Sequence, residues 1–176
     1  MNVLRPVAAL IVALIVCCAG CQRDLTRSDA KALIAKSEQF TKQHDDYFPI
    51  GHVYSLIQHR YEEMQKAGYV KITRLGIGEG RVVLTSKGSD TVRQLGGIIN
   101  SDLNYVSVPS GAQEVVAVTG VSIDGKAAVA DFDWRWNFNE LGAVLNPLDV
   151  GILRHGRAFL RLYDDGWRVV SIDFSK

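Results

Sequence analysis

Cysteine is scarce in this chain and confined to one end: Cys17, Cys18 and Cys21 are the only three. The 155 or so residues that follow have no thiol pair, which excludes an internal disulfide and a thiolate metal site there. A surplus of one charge is also missing. Twenty Lys and Arg face nineteen Asp and Glu, and without Arg5 the two counts are equal. Neutrality of this kind leaves no electrostatic footprint for nucleic acid and no strong pull toward an anionic surface. The apolar run from Val7 to Val16 falls well short of the roughly 20 residues that an ordinary membrane span needs. No acidic residue occurs before Asp24, and no serine stands in the G-x-S-x-G context of a nucleophile elbow.

The layout of the first twenty residues is that of a secretory signal: one basic residue, Arg5, a short apolar stretch, then small residues. The stretch closes on Cys18-Ala19-Gly20-Cys21. Here the chain resembles a bacterial lipoprotein precursor, with Ala19, Gly20 and Cys21 in the lipobox pattern and Cys18 where leucine is usual. The resemblance implies cleavage before Cys21 and acyl chains, palmitate among them, on that residue. One acyl chain binds a membrane only marginally, and several hold firmly. Gln22 stands where lipoproteins retained in the inner membrane carry Asp, so the resemblance implies the outer membrane, facing the periplasm. An uncleaved N-terminal anchor, or an ordinary secretory signal cut near Gly20, are the alternatives. No other cofactor is expected.

The expected organisation is a signal over 1–20, a lipidated tether over 21–27, a helical region over 28–99 and an antiparallel sheet region over 114–176. Thr26 and Asp29 form a capping box ahead of a helix expected from Ser28 to Lys42. Pro49 and Gly51 punctuate the segment after it. Val53, Ile57, Tyr61 and Met64 make an apolar stripe for a second helix, from Val53 to Ala67, with Gly68 as its cap. Tyr69 to Leu75 and Val82 to Thr85 alternate as a hairpin, and a third helix is expected from Ser86 to Ile99. This block, residues 53 to 95, resembles part of a winged-helix domain in "AGYV", the glycine-tipped hairpin and "LTSKG". Only the shape is carried over. Basic residues where a recognition helix would lie are sparse: His59, Arg60 and Lys66 against Glu62 and Glu63.

Turn residues dominate Asn100 to Gln113, the expected boundary. Beyond it, Glu114–Ile123 and Ala127–Asn139 pair around Asp124-Gly125, and Arg157–Tyr163 and Trp167–Phe174 pair around Asp164-Asp165-Gly166. The fold class expected is α+β: N-terminal helices and a small hairpin, then a four-stranded antiparallel sheet packed on helix. The tail "YDDGWRV" resembles the last hairpin of bacterial cystatin-like and NTF2-like modules, in which a curved sheet wraps a helix. Those families include enzymes, carriers and adaptors, so no function transfers with the shape.

Candidate chemistry is thin. "GIGEG" lies between two strands and reads as a hairpin tip rather than a phosphate loop. His44, Asp45, Asp46, His52 and His59 could ligate a metal, but His52 and His59 are seven apart rather than three or four, and no metal is expected. Asp131, Asp133 and Arg135 alternate with Phe132, Trp134, Trp136 and Phe138 in "DFDWRWNFN". The charged set suggests a ladder on the outer face of a strand, and no catalytic residue is assigned. The aromatic set is either the inner, core face or a cleft lined by Trp134, Trp136, Phe138 and Trp167 for a sugar ring, peptide or acyl chain.

The function expected is a cell-envelope lipoprotein, held by its lipid anchor, whose non-catalytic body binds a partner protein, an envelope component or a small apolar ligand, with no nucleic acid involved and the oligomeric state left open. The alternative is an enzyme with an NTF2-like pocket that uses Asp133 or His155 as an acid–base group.

Overall fold

The computed structural model describes residues 24–57 and 60–174. The expected signal and lipobox, with Cys21, and His59 lie outside the described residues. The chain begins with α1 (Arg27–Ala35). Its capping box is formed as the sequence indicates: Thr26 Oγ1 accepts from the Asp29 N–H at 3.1 Å, and the Asp29 carboxylate accepts from the Thr26 N–H at 3.3 Å. The helix does not continue to Lys42. Ser37 Oγ donates to the Ile34 carbonyl at 2.6 Å, Ser37 turns extended, and α2 (Glu38–Thr41) starts anew. A serine that bonds the preceding turn competes with the helix ladder.

Strand β1 (Gln43–Pro49) follows where a break was expected, and β2 (Gly51–Val53) occupies the start of the expected second helix. Only α3 (Tyr61–Lys66) of that helix forms. Val53, Tyr61 and Met64 are buried as the stripe requires, but Ile57 is 84% exposed and Leu56 takes the inward place. Strands β3 (Val70–Arg74) and β4 (Gly80–Leu84) form the hairpin, with "GIGEG" in its tip, and β2 adds to β4 to make a three-stranded sheet. Helix α4 (Ser86–Gln94) is shorter than expected, because Gly96 at φ +78° turns the chain into β5 (Ile98–Asn100).

The expected boundary at 100–113 is mostly strand. β6 (Tyr105–Asp124) is twenty residues long and pairs with β1 and β5 at one end and β7 (Ala127–Phe138) at the other. Helix α5 (Glu140–Leu145), β8 (Arg154–Tyr163) and β9 (Gly166–Phe174) complete the chain. The main antiparallel sheet has six strands, in the order β1-β6-β7-β8-β9 with β5 beside β6, rather than four. The four expected strands are all present, and β1 and β5 are the additions.

The sheet curls, and β6 carries the devices that bend it. Val116 and Thr119 are extra residues opposite β7, one in each of two bulges. Lys31 Nζ donates to the displaced Val116 carbonyl at 2.8 Å, and Thr119 Oγ1 donates to the Asp131 carbonyl at 3.1 Å, so the bulges leave fewer polar groups idle. The curl carries β6 past two cores. Val115 and Val118 join Ile34, Phe40, Phe132 and Trp134 in one, while Val106 and Val108 join Phe48, Tyr61, Met64 and Leu141 in the other. Between them on β6 lie Ser110, Gly111 and Gln113, none of which belongs to either core.

Candidate functional site: a groove at the end of the aromatic row

The alternation of β7 is strict. Ala128, Ala130, Phe132 and Trp134 are buried, while Asp131 and Arg135 between them are exposed and Asp133 is partly covered. Phe132 is 1% exposed and Trp134 5%. Both rings meet Phe40 of α2 edge-on, at 5.7 and 6.4 Å between centroids. Phe132 also lies over Gly156 of β8, where an added Cβ would come within 2.6 Å of the ring. The Trp134 indole N–H donates to the His155 carbonyl at 3.3 Å, and Arg154 sits over its ring. This half of the row is closed core.

The other half is different. Trp136 and Phe138 are only partly buried. Their rings stack at 5.7 Å with 21° between planes, and His44 of β1 leans on Trp136 at 5.0 Å. Two cavities open here. One, about 320 Å³, is lined by Gln39, Lys42, Gln43, His44, Gln113, Trp136 and Phe174. The other, about 440 Å³, is lined by Thr41, Gln43, Gly111, Ala112, Asn137, Phe138 and Asn139. Both reach the lower part of the size range of small-ligand pockets. Gln43 lines both, so the two cavities adjoin at that residue, and together they make up the groove.

The groove exists because β6 changes cores at this point. Small or polar residues, Ser110 to Gln113, stand where the strand would otherwise present large apolar side chains to a helix. Gly111 is needed at its wall, since a Cβ there would lie 2.8 Å from the Phe138 ring. Some polar residues are already committed. Asn139 accepts from the Gly142 N–H at 2.8 Å, capping α5, and donates to the Pro109 carbonyl at 2.7 Å. Asp46 accepts from the Asn146 amide at 2.7 Å. By contrast the Gln39, Gln43 and Gln113 carboxamides and the Trp136 indole N–H have no hydrogen-bond partner among the described residues. Gln39 and Gln43 are exposed, and no buried polar side-chain atom among the described residues lacks a partner, so these groups face water.

Of the expected aromatic lining, the structure brings Trp136 and Phe138 to the groove. Trp134 stays in the core, and Trp167 packs against the same core from β9 and lines neither cavity.

No protein-family model matches the chain, and neither a curated protein nor a solved structure does. The site must therefore be judged on its own geometry.

On the opposite face of the sheet the charged residues pair across strands. Arg135 Nε meets Glu114 at 2.9 Å, and Arg157 Nε meets Asp131 at 2.9 Å. Between them Asp133 Oδ1 lies 2.6 Å from His155 Nδ1. Sequence reasoning singled out Asp133 and His155 separately without placing them together; the signal was their common outward parity on adjacent strands. His155 is 73% exposed and neither cavity touches it, so nothing described there excludes water. No three His, Cys, Asp or Glu side chains converge on a metal-sized site among the described residues. His44, considered as a ligand, instead contributes a ring to the groove. Gln39, Gln43, Gln113 and Phe174 were missed altogether, because isolated glutamines and a terminal Phe carry no spacing signal.

Proposed function

We propose that the protein is a cell-envelope lipoprotein, anchored through acyl chains on Cys21 to the outer membrane and facing the periplasm. Its body is a non-catalytic binding module, and the groove at Trp136 and Phe138 is where it takes an envelope component. The shape is cystatin-like or NTF2-like, a curled sheet wrapped on α1 and α2. The three-stranded sheet with α3 and α4 is a winged-helix-like wing in shape only, with Glu62 and Glu63 on α3 opposing nucleic acid.

One observation carries the binding reading: an aromatic row whose first half is sealed by Phe40 and whose second half opens into two cavities. The absence of any buried carboxylate among the described residues favours binding over acid–base chemistry, since Ser110 is the one buried polar side chain there. No helix among the described residues is long and apolar enough to cross a membrane.

Two experiments test the reading. Cys21→Ser releases the protein from membranes on fractionation; continued firm association contradicts the lipoprotein assignment. A photo-reactive benzoylphenylalanine in place of Phe138 crosslinks, in the intact envelope, to an envelope glycan, lipid or protein identified by mass spectrometry. The same group in place of the outward-facing Phe159 does not. Equal labelling from both positions, or none from 138, contradicts the groove.

The Asp133–His155 contact favours a second reading, an enzyme that uses this pair as an acid–base group. In that case Asp133→Asn abolishes turnover of the bound ligand and leaves its affinity unchanged, whereas no effect on turnover removes the reading.

A further inference from the structure

The groove combines two chemistries that select among its possible occupants. Its aromatic wall is Trp136 and Phe138, stacked at 5.7 Å. Its polar rim is neutral: the carboxamides of Gln39, Gln43 and Gln113 and the indole N–H of Trp136, all without partners among the described residues. Each carboxamide offers two donors and an acceptor. An acyl chain filling this groove would strip water from those groups and return no hydrogen bonds for it. A strongly anionic ligand would find a single exposed cation, Lys42, with Asp46 beyond His44. The ligand that matches is uncharged, with a flat apolar face and a rim of donors and acceptors.

A pyranose ring has that make-up. Its C–H bonds point to the two faces and pack against aromatic rings, and its hydroxyl and acetamido groups surround the edge. The two cavities, about 320 and 440 Å³, adjoin at Gln43. We infer that the groove is a glycan-binding site for an N-acetylated hexosamine chain, with the parts of Trp136 and Phe138 left uncovered by each other and by His44 as its apolar wall and Gln43 and Gln113 as the hydrogen-bonding residues. This rests on the groove being the binding site, and it names the ligand class that site accepts.

The test is isothermal titration of the folded protein with N-acetylated chitotriose, with oleate and a pool of unlabelled pentapeptides as comparison probes. Saturable binding of the chitotriose is expected. Trp136→Ala weakens it about tenfold, which is about 1.4 kcal/mol. Gln113→Ala, a rim change that leaves the core intact, weakens it about three- to tenfold. Trp136→Phe keeps most of the affinity. Thermal melts of the variants within a few degrees of the parent show that folding is not the cause.

No heat with chitotriose overturns the glycan assignment. If oleate or the peptides then bind and Trp136→Ala abolishes that binding, the groove stands and only its ligand class is wrong. Chitotriose binding untouched by both Trp136→Ala and Gln113→Ala overturns the location and the groove reading with it.

Discussion

At the scale of single residues, one row of side chains divides into structure and function. Phe132 is sealed beneath α2 and against Gly156, so Phe132→Ala removes a buried ring and leaves a cavity, destabilising by about 3–5 kcal/mol in urea unfolding. Trp136→Ala, four residues along on the same face, loses a ring that is only partly covered, and so costs less, about 1–3 kcal/mol. Equal costs would mean that the row is all core. Periodicity made the common face of the row legible, because i, i+2 alternation requires it. It could not say which rings are covered. That depends on Phe40, ninety residues away in sequence, arriving over Phe132 and Trp134 and stopping short of Trp136.

Tyr61 belongs to the same scale. Its ring is wholly buried, its hydroxyl donates to the Pro49 carbonyl, and burial pushes its pKa well above the ordinary tyrosine value of 10.0. Above pH 10 the unfolded chain releases this proton while the native state keeps it. The unfolded state then binds fewer protons, and stability falls as pH rises, by up to about 1.4 kcal/mol per pH unit from this group. Tyr61→Phe costs about 1 kcal/mol at neutral pH, because the part-buried Pro49 carbonyl loses its donor, and it makes the alkaline fall shallower. Unfolding curves at pH 8 and at pH 11 check both parts; an unchanged alkaline slope contradicts the second.

At the scale of elements, α1 was legible because its capping box is local, with Thr26 and Asp29 three residues apart. Thr26→Ala lowers the unfolding free energy by about 1 kcal/mol, and a loss below a few tenths would show the cap to be idle. The β7, β8 and β9 strands were legible for the same reason, since alternation and turn chemistry are short-range. β1 was not. Its inward positions are His44, Asp46 and Phe48, and two of the three are polar, so the alternation carries no hydrophobic signal. The polarity that concealed the strand is also what makes it a wall of the groove. The expected second helix failed for a different reason: Val53 is recruited to pair with Gly80 of β4, and Arg60 takes a left-handed conformation at φ 53°, so the helix starts only at Tyr61. The close seating of α5 on β6 has a checkable consequence. A Cβ at Gly142 would lie 2.1 Å from the Ser110 carbonyl oxygen, backbone that cannot swing aside. Gly142→Ala therefore destabilises by about 1–3 kcal/mol and loosens the groove wall, seen as a lower urea midpoint.

At the scale of the whole molecule, a curled sheet passes from one core to a second, and the groove lies where the two meet. Neither the crossing nor its consequence could be read from the chain, because Ser110 to Gln113 look like a linker when taken alone. In the fold they are strand, held between β1 and β7. A lipid on Cys21 would keep this body within reach of the membrane that carries it, so that a modest affinity for a polymeric envelope ligand is multiplied by local concentration.

The three tryptophans allow a direct test of the central claim, that the open end of the aromatic row binds and the closed end does not. Fluorine NMR of the protein labelled with fluorotryptophan gives one resonance each for Trp134, Trp136 and Trp167, assigned by single Trp→Phe variants. On addition of solubilised envelope material, the account predicts a saturable shift that is largest at Trp136, smaller at Trp134, whose ring meets it edge-on at 6.0 Å, and absent at Trp167. A shift at Trp167 with Trp136 silent, or no shift at any of the three, contradicts it.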